Sequence, residues 1–212
     1  MARPRTAGAN ALNVLTEDEL GSAAQRDRRK RILDATIALA SKGGFEAVQM
    51  RAVAEKADVA LGTLYRYFPS KILLLVSGLA RELERGRERG GAAVPGDTAY
   101  DRLLFVLGRI TRAMQRDPNL TEAMTRAFMF ADASAAAEVD TVAKLIERTF
   151  ARALHDDDPV GEPTDEDRAI ARVIGDVWLS NLVAWVTRRS SASDVAERLE
   201  LTVRLLLTHK AE

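Results

Sequence analysis

The feature that most constrains the fold is a pair of short helical segments at about 49–57 and 60–67, separated by a turn at Asp58-Val59. Two short helices that cross steeply need small residues where they meet, and Ala54 and Ala57 supply them. Asp58 is one of the few non-glycine residues that tolerates a left-handed turn. The apolar residues available for the inner faces are Met50, Val53, Val59, Leu64 and Phe68. The pattern predicts a helix-turn-helix.

The second helix of this pair has an outer face suited to DNA. Gly62 lets a backbone approach closely, Thr63 and the tyrosine hydroxyls can donate to phosphates, and Arg66 adds charge, as on a recognition helix in a major groove. Lys71 follows at the start of the next helix, where it suits a DNA phosphate. The candidate DNA-binding residues are Arg51, Leu61, Gly62, Thr63, Tyr65, Arg66, Tyr67 and Lys71. The alternative is a helical hairpin with a solvated surface, although two exposed tyrosines in three residues are unusual there.

Charge is divided unevenly along a chain whose formal net charge is zero. Residues 1–71 contain 12 Lys and Arg against 8 Asp and Glu, whereas the remaining residues contain 19 against 23. A basic N-terminal part on an acidic body indicates a polyanionic partner for the first part only. Charge alone leaves open a chance asymmetry of a solvated surface.

The rest of the chain also has helical periodicity, and no convincing strand pattern appears, so we predict an all-α fold. Further helices are predicted at 22–42, 70–89, 98–116, 118–131, 134–154, 164–189 and 193–208. A glycine-rich linker is expected at 90–97 and an acidic loop at 155–163. We expect a mobile arm at 1–20, a DNA-binding domain at 21–69 and a ligand-binding and dimerisation domain at 70–212.

Composition excludes several functions. The chain has no cysteine, which removes thiolate metal sites and cysteine nucleophiles and fits a reducing cytoplasm. It has only two histidines, His155 and His209, and no Gly-x-Ser-x-Gly motif, so we expect neither an enzyme nor a metal site. No run of about 18 apolar residues occurs, so no membrane partner is expected.

The stretch from Phe45 to Lys71, above all residues 62–71, resembles the DNA-binding signature of the TetR family of repressors. The resemblance implies an all-helical, cytoplasmic homodimer with two N-terminal DNA-binding heads and a ligand-binding body. The chain departs from the usual pattern at three positions. Gln49 and Ala60 replace the common capping residues, and Asp58 replaces the common turn glycine.

Segments of the body extend the resemblance to an actinobacterial branch of this family that represses cholesterol catabolism. They are residues 120–127, 131–134 and 176–182. This resemblance implies control of sterol-degradation genes and release from a palindromic DNA operator by a CoA thioester of a sterol-derived acid. No other cofactor is expected.

The body supplies methionine and aromatic side chains that could line an apolar cavity for a hydrophobic effector. The candidate ligand-binding residues are Phe105, Met114, Met124, Phe128, Met129, Trp178, Asn181, Leu182 and Trp185. For each apolar residue, ordinary core packing is the alternative. A buried Asn181 needs a partner, either a ligand carbonyl or a backbone group.

Two other functions stay open at this point. One is a TetR-type repressor that responds to an unrelated hydrophobic or drug-like ligand. The other is a lipid-binding protein without a regulatory role. Apolar stripes on the last two predicted helices favour pairing with a second copy of the chain, and two heads about 34 Å apart could then bind a palindrome.

Overall fold

A computed structural model describes residues 22–89, 94–155 and 162–208 of the 212-residue chain. The described residues form helices and connecting turns without a strand, which confirms the all-α prediction. The helices are α1 (Ala23–Ala47), α2 (Met50–Lys56), α3 (Leu61–Tyr67), α4 (Lys71–Arg89), α5 (Ala99–Arg116), α6 (Pro118–Met129), α7 (Ala136–Leu154), α8 (Asp165–Val186) and α9 (Ala192–Thr208), with a short 3-10 helix at Ala133–Ala135. The predicted arm, His209, half of the predicted linker and most of the predicted acidic loop lie outside the described residues.

Side chains that satisfy free backbone amides explain where the helices begin. Ser22, Thr98 and Thr164 each accept a hydrogen bond from the amide three residues later, and that residue's side chain bonds back to the cap in each case. Such reciprocal caps satisfy two amides at once. Asp117 caps α6, whose first residue is Pro118. These are local signals, so the predicted starts agree with the structure to within two residues.

The first helix is interrupted by two glycines. Gly43 and Gly44 leave the helical conformation inside α1, and Gly44 has φ +65°. That conformation favours glycine because it has no Cβ atom. The predicted end of the long helix at this pair is therefore confirmed, and one further helical turn leads to α2.

Two hydrophobic clusters fill the interior. The first joins α1–α4 to buried residues of α6 and α7, including Ala123, Ala127 and Val142. The second lies between α5, α7, α8 and α9 around Phe150 and Trp178. The N-terminal head therefore shares its core with α6 and α7, across the domain boundary predicted at residue 69, which itself stays a prediction.

By length and composition, α8 could cross a membrane, and it is the single helix of the described residues with that property. Core helices can have the same composition. Ala171, Ile174 and Trp178 of α8 are buried in the second cluster, so the protein itself covers that side of the helix.

Candidate DNA-binding surface and ligand cavity

The turn between α2 and α3 has the conformation that the sequence predicts. Asp58 has φ +52°. Its amide donates to the Glu55 carbonyl at 3.2 Å, and the Val59 amide donates to the Ala54 carbonyl at 3.0 Å. This pair of bonds around a left-handed residue is the Schellman ending of a helix, where glycine is usual. Neither Gln49 nor Ala60 makes a side-chain cap, as their replacement of the common capping residues predicts.

The outer face of α3 is open. Tyr65 is 37% exposed, Arg66 is exposed, and an added Cβ on Gly62 would meet nothing within 4 Å. Leu61 and Thr63 are half-buried on the same helix, and Arg51 is exposed on α2. This face carries a guanidinium, a phenol, a hydroxyl and an accessible backbone, which are the groups that bind phosphates and base edges.

Tyr67 does not belong to that face, so its predicted outward position is wrong. It is 2% exposed, packs in the first cluster, and its hydroxyl is buried without a hydrogen-bond partner. Tyr67 follows the fully buried Leu64 by three residues and therefore shares its inner face. This spacing was visible in the sequence, but the tyrosine hydroxyl favoured the opposite interpretation.

Lys71 lies at the side of the head that faces α6. Its Nζ atom is 3.7 Å from the centroid of the Phe45 ring, and the Arg126 guanidinium carbon is 4.3 Å from the same centroid. The pKa of the Lys71 ammonium lies below its ordinary value, mainly because the group is partly buried. Arg126 also lowers it, whereas Glu46 and Glu122 oppose the shift. The predicted phosphate contact of Lys71 would compete with this ring contact.

Polar contacts join α6 to the end of α1, with Lys71 of α4 beside them. We call the residues involved the head–α6 seam; they are Ser41, Phe45, Glu46, Lys71, Asn119, Glu122 and Arg126. Glu122 Oε2 accepts from the Phe45 amide at 2.9 Å. Arg126 Nη1 lies 2.9 Å from Glu46 Oε1, and Asn119 Nδ2 donates to the Ser41 carbonyl at 3.1 Å. Sequence reasoning missed the seam because its two sides are about 75–80 residues apart.

A small cavity lies between α5, α8 and α9. Its lining residues are Thr111, Met114, Gln115, Trp178, Leu182, Trp185, Ala192 and Val195. Four predicted ligand-binding residues, Met114, Trp178, Leu182 and Trp185, thus meet at one site. The space in which the centre of a water molecule can lie measures about 20 Å³. The cavity therefore has room for about one water molecule.

The other predicted ligand-binding residues, Phe105, Met124, Phe128, Met129 and Asn181, do not line this cavity. Phe105 and Met129 are exposed, at 37% and 52%. Phe128 packs against the first cluster, and buried Met124 lies against Gly78 of α4. None of them lines the cavity, and periodicity within one helix does not reveal which residues of different helices meet. Their binding of a ligand stays a prediction.

Asn181 finds its partner inside its own helix. Its Nδ2 atom donates to the Val177 carbonyl at 2.8 Å. Of the two partners considered from the sequence, the backbone group is therefore the one in the structure.

The last two helices expose apolar residues of the kind expected at a subunit contact. Val173 of α8 and Leu201 and Leu205 of α9 are large hydrophobic side chains with 43–58% exposure. They belong to the stripes that the sequence predicts for pairing.

Comparisons with known proteins agree with this architecture. Residues 32–76 match the family described as bacterial regulatory proteins, tetR family, and residues 96–206 match the tetracyclin repressor-like C-terminal domain. The chain is 71% identical over 197 residues to the HTH-type transcriptional repressor KstR of Rhodococcus jostii, covering 93% of this chain and 91% of that protein. It is 66% identical over 195 residues to KstR of Mycobacterium tuberculosis, covering 92% and 87%.

A solved structure supports the same assignment. A TetR transcriptional regulator from Rhodococcus sp. RHA1 superimposes with a TM-score of 0.78 at 31% identity, covering 89% of this chain and 99% of that one. The relatives are named repressors rather than enzymes. The chain belongs to the TetR family, as a KstR-like transcriptional repressor that binds DNA through its helix-turn-helix.

Proposed function

We propose that this repressor controls genes of sterol catabolism and is released from a palindromic operator by a CoA thioester of a sterol-derived acid. The observation that carries the ligand part is the convergence of Met114, Trp178, Leu182 and Trp185 on one apolar cavity. The resemblance of its body segments to cholesterol-catabolism repressors supports the sterol part.

Two structural neighbours support an acyl-CoA as the class of effector. FadR of Bacillus subtilis is described in complex with stearoyl-CoA, and FadR of Thermus thermophilus with lauroyl-CoA. They share 19% and 22% sequence identity with this chain, so the likeness extends to the fold alone. Proteins with this fold can therefore bind an acyl-CoA.

The cavity must open to admit such a molecule. Pockets for small ligands typically measure about 300–1,000 Å³, far more than the present space. In our proposal the effector binds a state in which α5, α8 and α9 have moved apart, and its preference for that state shifts the population. Methionine and bulky aromatic side chains at the lining suit such repacking.

A hydrogen bond connects the cavity wall to the head–α6 seam. Met114 lines the cavity, and its carbonyl accepts from Thr121 Oγ1 of α6 at 2.9 Å. Glu122, the next residue, holds the Phe45 amide. Opening of the cavity at Met114 would thus move α6 against the head. In that state the two heads of the proposed dimer would no longer fit the operator.

A palindromic operator requires two heads, and we propose a homodimer that pairs through the exposed apolar faces of α8 and α9. Each subunit buries its own copy of the same surface in such a two-fold contact. A DNA-binding regulator acts where the chromosome is, so we place the protein in the cytoplasm with no membrane partner.

The experiment is an operator shift assay with three additions: the CoA thioester of a cholesterol-derived acid, the free acid, and CoA alone. We expect release by the thioester only. Ala192→Phe, which fills the cavity, should bind the operator normally and resist release. Ala113→Phe, at an exposed position of α5, is the matched control and should respond like the parent.

The outcome separates the alternatives. If the thioester saturates the protein while its operator affinity stays constant, the release mechanism is wrong. If stearoyl-CoA or an unrelated hydrophobic compound releases the operator at lower concentration, the effector belongs to another class. Equal release of both phenylalanine variants would exclude this cavity as the site.

A further inference from the structure

Arg31 of α1 reaches the turn of the helix-turn-helix between α2 and α3. Its Nη1 atom donates to the Ala57 carbonyl at 2.7 Å and lies 3.4 Å from the Asp58 carbonyl. Its Nε atom lies 3.4 Å from Asp27 Oδ2, one helical turn earlier on α1. The guanidinium therefore lies between α1 and the turn, in a groove that Lys56 and Asp34 also line.

The turn needs such a contact more than a glycine turn would. Asp58 adopts φ +52° with a Cβ atom present, and the left-handed region costs a non-glycine residue steric strain. Neither α2 nor α3 begins with a side-chain cap. The carbonyls at the end of α2 also carry partial negative charge, which a cation stabilises.

We propose that Arg31 is a positioning residue for operator binding: it holds the strained Asp58 turn and thereby sets the angle of α3 to the DNA. Asp58 is followed by only two residues before α3 begins at Leu61. A small change in the turn therefore changes where Tyr65 and Arg66 lie. Arg31 acts through the turn and does not need to touch DNA.

The competing role for an arginine beside a DNA-binding helix is a direct phosphate contact, and salt dependence separates the two. Loss of one phosphate contact makes the plot of log affinity against log salt concentration less steep by about one unit. It also weakens binding to operator and non-operator DNA alike. Loss of a positioning residue weakens operator binding and leaves the slope and the non-operator affinity unchanged.

The test is Arg31→Met in three backgrounds: the parent, Asp58→Gly and Asp58→Asn. Asp58→Gly removes the carboxylate and also the Cβ atom that causes the strain. Asp58→Asn removes the carboxylate charge but keeps the Cβ atom. We expect Arg31→Met to weaken operator binding about fivefold in the parent and in Asp58→Asn, which is the effect of losing one typical hydrogen bond, because the partly exposed Arg31 charge is screened. In Asp58→Gly the loss should be under about twofold, because the two residues are coupled.

Each result decides the proposal. An equal loss in all three backgrounds, or a lower salt slope with weaker non-operator binding, would overturn it. Circular dichroism identifies any variant that is unfolded. In that case Arg31→Lys, which keeps a donor and the charge, replaces Arg31→Met, and the same dependence on Asp58→Gly is expected with a smaller loss.

Discussion

The outer face of α3 and the cavity of the body are built in opposite ways. The face of α3 comes from one seven-residue helix, and Gly62, Tyr65 and Arg66 are exposed on it without any rearrangement. The cavity needs side chains from three helices, and it is nearly closed. The DNA-binding surface is thus already exposed, whereas the effector site that we propose would have to be opened by its ligand.

This difference has a consequence for regulation. Because the DNA-binding surface is already formed, the effector that we propose would have to act on the placement of the head. The head–α6 seam joins the head to α6 through Phe45 and Glu122, and Thr121 of α6 donates to the Met114 carbonyl at the cavity wall. Changes on α3 should therefore alter DNA affinity alone, and changes at the seam should alter the response to the ligand.

The largest effect is expected from removing the side chains of the open face. Tyr65→Ala combined with Arg66→Ala should weaken operator binding at least about 30-fold, since each side chain that contacts a base contributes about 1–3 kcal/mol. Stability should change by less than about 1 kcal/mol because both residues are exposed. The measurement is operator affinity at fixed salt, together with thermal unfolding. Arg116→Ala, exposed on α5, is the control, and normal affinity of the double variant would refute the preformed surface.

An intermediate effect is expected at the seam. Arg126→Gln removes the ion pair with Glu46 and the contact with the Phe45 ring. Because Glu46 is exposed and the pair is screened, we expect a loss of about 0.5–1 kcal/mol, and a fall of the unfolding midpoint by about 1–4 °C. Operator binding should persist while more CoA thioester is needed for release.

The control for Arg126→Gln is Arg116→Gln, which removes the same charge from an exposed site outside the seam. A parent-like dose response of Arg126→Gln would mean that the ligand signal reaches the head by a route other than Arg126.

The smallest effect is expected at Tyr67, and it tests the division of α3 into two faces. Tyr67→Phe removes a buried hydroxyl that has no hydrogen-bond partner, so stability should stay equal or rise by up to about 1 kcal/mol. Operator affinity should be unchanged, whereas Tyr65→Phe should weaken it. Binding assays on the two variants make the comparison, and a clear loss of affinity in Tyr67→Phe would place its hydroxyl at the DNA.

Much of the fold was predictable from the sequence because its signals are local. Ser22, Pro118 and the Gly43-Gly44 pair mark helix boundaries through their own backbone and capping chemistry. The left-handed turn at Asp58 was predictable for the same reason. Which candidate ligand-binding residues line one cavity was not predictable, because Met129 and Phe105 are apolar like Met114 and Trp178, and only the packing of the helices exposes them.

By itself, the sequence determined the helices, the helix-turn-helix and the family, since periodicity, caps and turn residues act over a few positions of the chain. The tertiary structure alone decided that Lys71 and Arg126 share the Phe45 ring, and that six side chains of α5 and α8 enclose the cavity with two of α9. These contacts join residues that lie far apart along the chain, and their geometry exists only after the helices have packed.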